Sequence, residues 1–371
     1  MEMNGCHPAA KVLVSCVIVV LSAVCVVVAG DLPVPLERPA IKAKYPANCV
    51  MLGVAVAGER LVAVGERGRI IFSDDNGRTW QQAPVPVNVT LTSVYFVSDK
   101  KGFVAGHSGV LLETVDGGET WHKRFDGRDA SAMIFEAVRA KAEAGNGDGK
   151  HYEQELANAQ LFVDDGPDKP FFDFYFENEK QGFLVGAYNM IFRTDDGGSS
   201  WTPWLDHVDN PLGMHLYGIA PLGDDLFMAG EQGLVLHLAA PGNTFQRVPT
   251  PYEGSYFGLL GTSWGELIVF GLRGNAFKSN DRGATWQKID TGLMVAITAA
   301  AELSGPTLLL TTQSGDVLVS HDKGDTFNRL PMDNPFPIAA ITQAPNGNVV
   351  LVGLRGIQLI ATDPEITQGG Q

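Results

Sequence analysis

The sequence predicts an all-β protein, a seven-bladed β-propeller whose blades each have four strands. Three observations lead to this prediction. An eight-residue turn pattern of the form S/T-x-D-x-G-x-S/T-W recurs along the chain, and a four-residue glycine turn occurs seven times. The first residues of these glycine turns are separated by 41, 80, 44, 41, 41 and 41 residues. Because a period of this size is typical of one four-stranded blade, the seven turns indicate seven blades.

The eight-residue pattern has the chemistry of a hairpin tip. In the first copy, Ser73 to Trp80, the Asp side chain can accept hydrogen bonds from N–H groups of the turn and the Gly supplies a positive φ. The returning Trp is large enough to cover the apolar face of the hairpin. The structural residues predicted in five copies are Asp75, Gly77, Trp80, Asp116, Gly118, Trp121, Asp196, Gly198, Trp201, Asp281, Gly283, Trp286, Asp322, Gly324 and Phe327. A further copy, Leu238 to Phe245, has lost its Asp, which favours a scaffold role over catalysis.

The long interval between the second and third glycine turns indicates an insertion. Asp129 to Ala144 and Tyr152 to Asp164 are rich in helix-forming residues, and they flank a glycine-rich turn. We therefore predict a helical hairpin between blades two and three, within an insertion that covers residues 127–168.

The seventh unit supplies three strands, Ile338 to Ala344, Val349 to Val352 and Ile357 to Ala361. We predict that Arg38 to Tyr45 provides the fourth strand, so that the N-terminal part closes the ring against the last blade. Such closure would remove two open sheet edges. The propeller would then cover residues 38–362 and leave a tail over residues 363–371.

The charge and the N-terminus limit the partners and the location. The formal net charge is −15, so the long-range field opposes nucleic acid, and we predict no nucleic-acid partner. Val12 to Ala29 form an apolar run, which predicts that residues 1–30 are a signal peptide or an N-terminal anchor. We expect an exported monomer, periplasmic or anchored to the periplasmic side of the inner membrane, that touches the membrane only through this segment. Cys49 is the one Cys outside the segment, so no intramolecular disulfide can form after cleavage.

The turn pattern resembles the Asp-box, or BNR, repeat of sialidases and other β-propellers. With phrases such as Gly102 to Gly106 and Gly182 to Gly186 before the boxes, the chain looks like the photosystem II stability and assembly factor family. The insertion and the segment Asp165 to Phe171 are more similar to a bacterial branch that accompanies RND-type exporters. The resemblance implies a non-catalytic exported scaffold that assists the assembly or function of a membrane-protein complex, with an RND-type exporter or a photosynthetic complex as the candidate partners. A periplasmic sialidase-like glycosyl hydrolase or carbohydrate-binding propeller is the alternative.

The candidate partner-binding residues lie in the glycine turns. Strand alternation places these turns on the same face as the connections between blades and the insertion. Arg67, Arg273 and Arg355 occupy the third position of three turns and match the basic patch that the family carries. Alternatively, each Arg satisfies carbonyls of a neighbouring blade. Three residues in equivalent turns are further candidates: His107, Tyr188 and Glu231.

The sequence predicts no catalytic residue, no metal site and no other cofactor. Sialidase chemistry needs three arginines that converge on a carboxylate, a Tyr nucleophile with a Glu partner and an Asp acid, and the arginines of this chain are not arranged in that way. No Cys, His and Asp cluster has the spacing of metal ligands. Each box offers a single Asp at a turn whose N–H groups use it, so we interpret these residues as structural and not as calcium ligands.

Overall fold

Each repeat folds as one antiparallel sheet whose strands follow one another in chain order. The computed structural model describes residues 34–144 and 149–361, without the side chains of residues 149–152. The predicted signal or anchor, residues 1–30, and the predicted tail, residues 363–371, lie outside the described residues.

The seven blades have the following strands in the described part of the chain. Blades one and two contain β1 (Met51–Ala57), β2 (Arg60–Gly65), β3 (Ile70–Ser73), β4 (Gln81–Gln82), β5 (Leu91–Phe96), β6 (Gly102–Gly106), β7 (Leu111–Thr114) and β8 (His122–Phe125). Blades three and four contain β9 (Phe171–Phe176), β10 (Gly182–Gly186), β11 (Ile191–Thr194), β12 (Thr202–Pro203), β13 (Leu216–Leu222), β14 (Asp225–Gly230), β15 (Val235–Leu238) and β16 (Gln246–Val248).

The remaining three blades repeat the same order. Blades five and six contain β17 (Tyr256–Gly261), β18 (Leu267–Gly271), β19 (Ala276–Ser279), β20 (Gln287–Ile289), β21 (Ile297–Glu302), β22 (Leu308–Thr312), β23 (Val317–Ser320) and β24 (Asn328–Leu330). Blade seven contains β25 (Ile338–Gln343), β26 (Val349–Gly353) and β27 (Gly356–Ile360). The predicted seven-bladed propeller is therefore confirmed, with four strands in six of its blades.

The core lies between neighbouring blades. The first strand of each blade contacts the first strand of the next around the whole ring, and β25 contacts β1. The ring closes through a cluster in which Met51 and Leu61 of blade one meet Val350 and Val352 of blade seven. Closure therefore depends on burial of apolar side chains, which stabilises by about 25 cal/mol per Å² of apolar surface.

The glycine turns are specified by close backbone approaches. A Cβ atom on Gly65 would lie 2.0 Å from the carbonyl oxygen of Val50, although the φ of Gly65 is extended. Gly68 has a φ of 71°, and a Cβ atom there would lie 2.0 Å from the carbonyl oxygen of Val87. The first glycine is thus required by space, and the second by both space and conformation.

The predicted closure of blade seven by an N-terminal strand is wrong. No described strand pairs with the outer side of β27, and Arg38 to Tyr45 forms no strand. The segment lies against blade one instead, where the Ala40 N–H donates to the Val85 carbonyl oxygen over 3.0 Å. The side-chain amide of Gln82 bonds the backbone of residues 41 and 43.

Two sequence features explain this course of the N-terminal segment. Leu36 is buried in the core between blades one and two, so it holds the segment there. Pro35 and Pro39 have no N–H group and cannot donate to a strand ladder. The buried Leu36 and the hydrogen bonds of the Gln82 amide therefore hold this segment in place of the predicted strand pairing.

The helical hairpin is confirmed between blades two and three, because α1 (Gly127–Glu143) and α2 (Gly149–Asp164) lie between β8 and β9. Asp126 caps α1, since its side chain accepts from the Arg128 N–H and the Asp129 side chain accepts from the Asp126 N–H. The hairpin packs on the ring through Ala130, Ile134 and Ala159, which are buried with the cores of blades two and three. The insertion is therefore part of the folded domain.

The Asp boxes form the predicted hairpin tips. In blade one, Asp75 accepts from the Thr79 N–H over 2.8 Å and from the Thr79 hydroxyl over 2.6 Å. The Gly77 N–H donates to Ser73 Oγ over 2.8 Å, and Trp80 Nε1 donates to the Gly77 carbonyl oxygen over 2.9 Å. Equivalent bonds surround four further Asp residues: Asp116, Asp196, Asp281 and Asp322.

The backbone conformation of the box glycines is the same in all five boxes, whereas the burial of the box aromatic residues differs between blades. All five glycines have φ between 82° and 88°: Gly77, Gly118, Gly198, Gly283 and Gly324. Trp121 and Trp201 are buried, at 3% and 8% exposure. Trp80, Trp286 and Phe327 are only half-buried. The turn geometry is thus constant, whereas the packing of the aromatic side chain varies from blade to blade.

Candidate partner-binding face

Two faces of the ring are defined by their loops. The insertion face carries the turns between second and third strands, the connections between blades, and helices α1 and α2. On this face the Gly68 N–H donates to the Val89 carbonyl oxygen in a connection over 2.6 Å. The box face carries the Asp boxes and the turns between first and second strands, where the Gly117 N–H donates to the Lys100 carbonyl oxygen over 2.9 Å.

The box carboxylates of the box face have their partners within their own turns. The hydroxyl and N–H of Thr79 hold the pKa of Asp75 at about 2. Burial alone would raise the pKa of Asp116, but the bonds from Thr120 and Thr114 lower it to about 2. Because these carboxylates already accept hydrogen bonds within their own turns, they are poor candidates for a ligand site.

In blade four, whose box lacks the Asp, a residue from another hairpin supplies the carboxylate. Asp225, at the start of β14, accepts from the Ala240 N–H and lies against His237 Nε2, both over 2.9 Å. The guanidinium of Arg282 in the next blade is 3.2 Å away. Burial raises the pKa of Asp225, but these three contacts together lower it. No motif in the sequence marks Asp225, because it lies outside the eight-residue pattern.

Arg67, Arg273 and Arg355 are exposed on the insertion face. Arg67 and Arg273 have left-handed φ values of 55° and 58°, shared by the equivalent Ser108, Tyr188 and Gln232. None of the three arginines forms a hydrogen bond or ion pair with a described residue. They therefore do not satisfy carbonyls of a neighbouring blade. Blades one and seven are neighbours, so Arg67 and Arg355 lie on one side of the ring and Arg273 lies apart from them in blade five.

Tyr188 and Glu231, two further candidates, are joined through a third residue. The Tyr188 N–H donates to His215 Nδ1 over 3.0 Å, and the His215 N–H donates to Glu231 Oε2 over 2.9 Å. The rings of Tyr188 and His215 pack edge to face with centroids 4.6 Å apart. Burial, with the charge and a hydrogen bond of Glu231, raises the pKa of the Tyr217 hydroxyl to about 12. His107 is exposed in the turn of blade two and does not join this group.

A largely buried carboxylate, Asp173, links the inner strands of three blades. Asp173 in β9 accepts from Ser93 Oγ of blade two over 3.0 Å and from the Ile219 N–H of blade four over 3.1 Å. Burial raises the pKa of Asp173 to about 6, despite these bonds. No motif in the sequence marks Asp173, because its partners come from strands far apart in the chain.

Exposed large apolar side chains collect on the insertion face. Among the described residues, five lie in its turns and connections: Tyr188, Leu212, Leu272, Met294 and Leu354. Leu161 and Val163 lie on α2, and three more lie in the N-terminal segment. Val115 is the one such residue on the box face within residues 34–144 and 149–361. Clustered exposed apolar residues are typical of a binding surface.

No group of three or more His, Cys, Asp or Glu side chains in residues 34–144 and 149–361 is arranged to hold a metal ion. Within the same ranges, no helix is both long and apolar enough to cross a membrane.

The fold defines an Asp-box β-propeller that carries a helical insertion on one face. The profile of the family described as Photosynthesis system II assembly factor YCF48 matches residues 47–112, 73–150 and 156–291. Because these segments cover more than half of the chain, the chain belongs to this family. The resemblance seen in the sequence is therefore confirmed, while the association with RND-type exporters stays a prediction.

Two curated relatives show the extent of the similarity. The photosystem II assembly lipoprotein Ycf48 of Synechococcus sp. (strain CC9902) is 27% identical over 196 residues, which are 52% of this chain and 58% of the relative. The chloroplastic photosystem II stability/assembly factor HCF136 of Oryza sativa subsp. japonica is 23% identical over 194 residues, which are 51% of this chain and 41% of the relative. The chain thus spans about half the length of these relatives.

Solved structures share the fold. A structure described as YCF48 bound to D1 peptide has a TM-score of 0.63 and 17% identity, covering 88% of this chain and 100% of that chain. YCF48 from Cyanidioschyzon merolae has a TM-score of 0.61 and 13% identity over 85% and 96% of the two chains. A streptogramin B lyase has a TM-score of 0.64 at 11% identity over 88% and 99%. At these identities, the likeness extends to the fold alone.

Proposed function

We propose that the chain is a non-catalytic scaffold that binds an extramembrane segment of a membrane-protein complex through its insertion face. The observation that carries this proposal is the presence, on that face, of exposed arginines without partners among the described residues and of most of the exposed apolar side chains. Relatives named as assembly factors support it, and one structural relative is described with a bound peptide of D1.

The location and the partner are further parts of the proposal. We propose an exported protein, periplasmic or anchored to the periplasmic side of the inner membrane, on the basis of the apolar run in residues 12–29. An RND-type exporter is the first partner to test, because the insertion resembles the bacterial branch of the family. A photosynthetic complex is the other partner that the family suggests.

A glycosyl hydrolase is less well supported. Sialidase chemistry requires three arginines that converge on one carboxylate. Arg67, Arg273 and Arg355 instead lie exposed in turns of blades one, five and seven, and none of the three forms an ion pair with a described carboxylate.

The experiment is recovery of the partner from solubilised membranes with tagged protein. In the variant Arg67→Glu with Arg273→Glu, we expect partner recovery to fall at least about tenfold, because two contacts become repulsive. Thermal unfolding should stay unchanged, since both side chains are exposed and unpaired within the described structure.

The matched control changes the same charge on the box face. Arg78→Glu with Lys100→Glu replaces two exposed cations near the boxes of blades one and two. This variant should recover the partner as the native protein does. Equal recovery by both double variants, or equal loss in both, would contradict the proposed binding face.

A further inference from the structure

The inner strands share an irregularity that differs in side chain from blade to blade. Each inner strand has a bulge after its first residue, so its second residue is unpaired in the ladder. In blades two and six this residue is Thr, and Thr92 and Thr298 donate to carbonyl oxygens of the next blade over 2.8 and 2.6 Å. In blades three, four and five it is aromatic: Phe172, Tyr217 and Phe257. Three adjacent blades therefore replace a bridging hydroxyl with a ring.

These rings extend into an aromatic stripe across the insertion face. We define the stripe as Phe162, Tyr188, His215, Phe172, Tyr217 and Phe257. Starting from α2, successive ring centroids are 6.3 Å apart for Phe162 and Tyr188 and 4.6 Å apart for Tyr188 and His215. Tyr217 then lies 6.0 Å from His215, 5.2 Å from Phe172 and 5.8 Å from Phe257. The stripe thus runs from the insertion to the inner strand of blade five.

The outer end of the stripe already holds a cation. The Lys169 ammonium lies 5.0 Å from the ring centroid of Phe162 and 5.9 Å from that of Tyr188. Asp165 and Asp168 neutralise it, at 2.9 and 2.6 Å. Ring faces attract cations electrostatically, and the attraction grows when the site is shielded from water.

Beside His215 and Tyr217, the stripe has an anion, Glu231, but no cation from the described residues. The Glu231 carboxylate is 30% exposed, accepts from the His215 N–H and lies beside the Tyr217 hydroxyl. His215 Nδ1 is 3.6 Å from this carboxylate, but Nδ1 accepts the Tyr188 N–H and so carries no proton in this arrangement. None of the ion pairs formed between described residues brings a Lys or Arg to Glu231. Within the described part of the chain, this half-buried carboxylate therefore has no Lys or Arg beside it.

We propose that Glu231 and the inner-strand rings of the stripe, Phe172, Tyr217 and Phe257, bind one positively charged side chain of the partner polypeptide. Arginine is preferred to lysine. A guanidinium is planar, stacks on aromatic rings and donates in a fork that matches a carboxylate. This site would bind a cationic side chain of the partner, whereas Arg67, Arg273 and Arg355 on other blades would bind acidic groups. The inference rests on the proposed function, since it assumes a polypeptide partner on this face.

The test uses short blocked peptides as probes and calorimetry or saturation-transfer NMR as the measurement. Acetyl-Gly-Arg-Gly-amide should bind the full chain with a dissociation constant that is roughly millimolar, as expected for one side chain. The citrulline peptide has the same shape without the charge and should bind at least about tenfold more weakly. Equal binding of the two peptides would overturn the proposal, as would no binding of the arginine peptide at about 20 mM.

Two variants place the site. Glu231→Gln should weaken the arginine peptide about tenfold, while the fold is kept because the amide oxygen still accepts the His215 N–H. Glu253→Gln is the control, since Glu253 is an exposed carboxylate in the adjoining connection. Unchanged binding in Glu231→Gln, or the same loss in Glu253→Gln, would contradict the assignment.

Partner recovery separates this inference from the proposed function. If Glu231→Gln recovers the partner fully while Arg67→Glu with Arg273→Glu loses it, the inference fails and the proposed function stands. If the native chain binds the arginine peptide but recovers no membrane protein, the cation site stands and the proposed function fails.

Discussion

The box face and the insertion face differ in where their polar side chains find partners. On the box face, the Asp of each of the five intact boxes is bonded by the turn that contains it, and in blade four Asp225 supplies the missing carboxylate. On the insertion face, arginines stand exposed in left-handed turns, and one carboxylate lies among aromatic rings without a cation. Regular repeats therefore stabilise this ring, and the proposed binding surface is the face on which exposed side chains have no partner among the described residues.

The largest expected effect lies in the boxes. Trp121→Ala and Trp201→Ala should each destabilise the protein by about 3–5 kcal/mol, because both side chains are buried and their removal leaves a cavity. Trp80→Ala and Trp286→Ala should cost clearly less, since those rings are half-exposed. Urea unfolding measures the difference. Similar losses at all four positions would show that burial does not determine the contribution of the box aromatic residue.

Asp173 of an inner strand and Asp116 of a box should change the stability of the protein with pH in opposite directions. The pKa of Asp173 is raised to about 6, so its unfolded form ionises first and the native state loses stability as pH rises from about 4 to 6. Asp173→Asn should therefore gain stability relative to the native protein over that interval, by on the order of 3 kcal/mol, and the gain should stay constant above about pH 7.

Asp116 provides the contrast to Asp173. Its pKa is lowered to about 2, so its contribution is present above pH 4 and is lost as pH falls towards 2. Asp116→Asn should thus be destabilised at neutral pH and approach the native protein in acid. Denaturant unfolding between pH 3 and 8 tests both variants. A pH-independent difference for Asp173→Asn would mean that this carboxylate is not shielded from water.

The repeat made the fold predictable from the sequence. Box turns and glycine turns depend on bonds and contacts within one unit, so their residues reveal the hairpins and their period gives the number of blades. The helical hairpin was also predictable, because helix-forming residues interrupt that period. The course of Arg38 to Tyr45 was not, since it depends on Gln82 and on a pocket for Leu36 that form only in the folded ring.

The candidate site was predictable only in part. Strand alternation correctly places Arg67, Tyr188 and Glu231 on one face, because each lies in an equivalent turn. The sequence could not show that Tyr188 and Glu231 meet through His215, or that Phe172 and Tyr217 are neighbours. Tyr188 and Phe172 belong to blade three, whereas His215, Tyr217 and Glu231 belong to blade four. Phe172 and Tyr217 lie at bulges that have no local sequence signature. Ring closure brings them together, so only the structure reveals the aromatic stripe.

The smallest expected change in stability concerns the exposed apolar side chains, and it tests the comparison of the two faces most directly. Met294 is 85% exposed on the insertion face, and Val115 is 63% exposed on the box face. Met294→Ser and Val115→Ser should each change the free energy of unfolding by less than about 0.5 kcal/mol, because neither side chain is buried by folding. If a partner covers the insertion face, Met294→Ser should still weaken partner recovery, since its apolar surface is buried only in the complex. Val115→Ser should not, and a loss of recovery in that variant alone would assign binding to the box face.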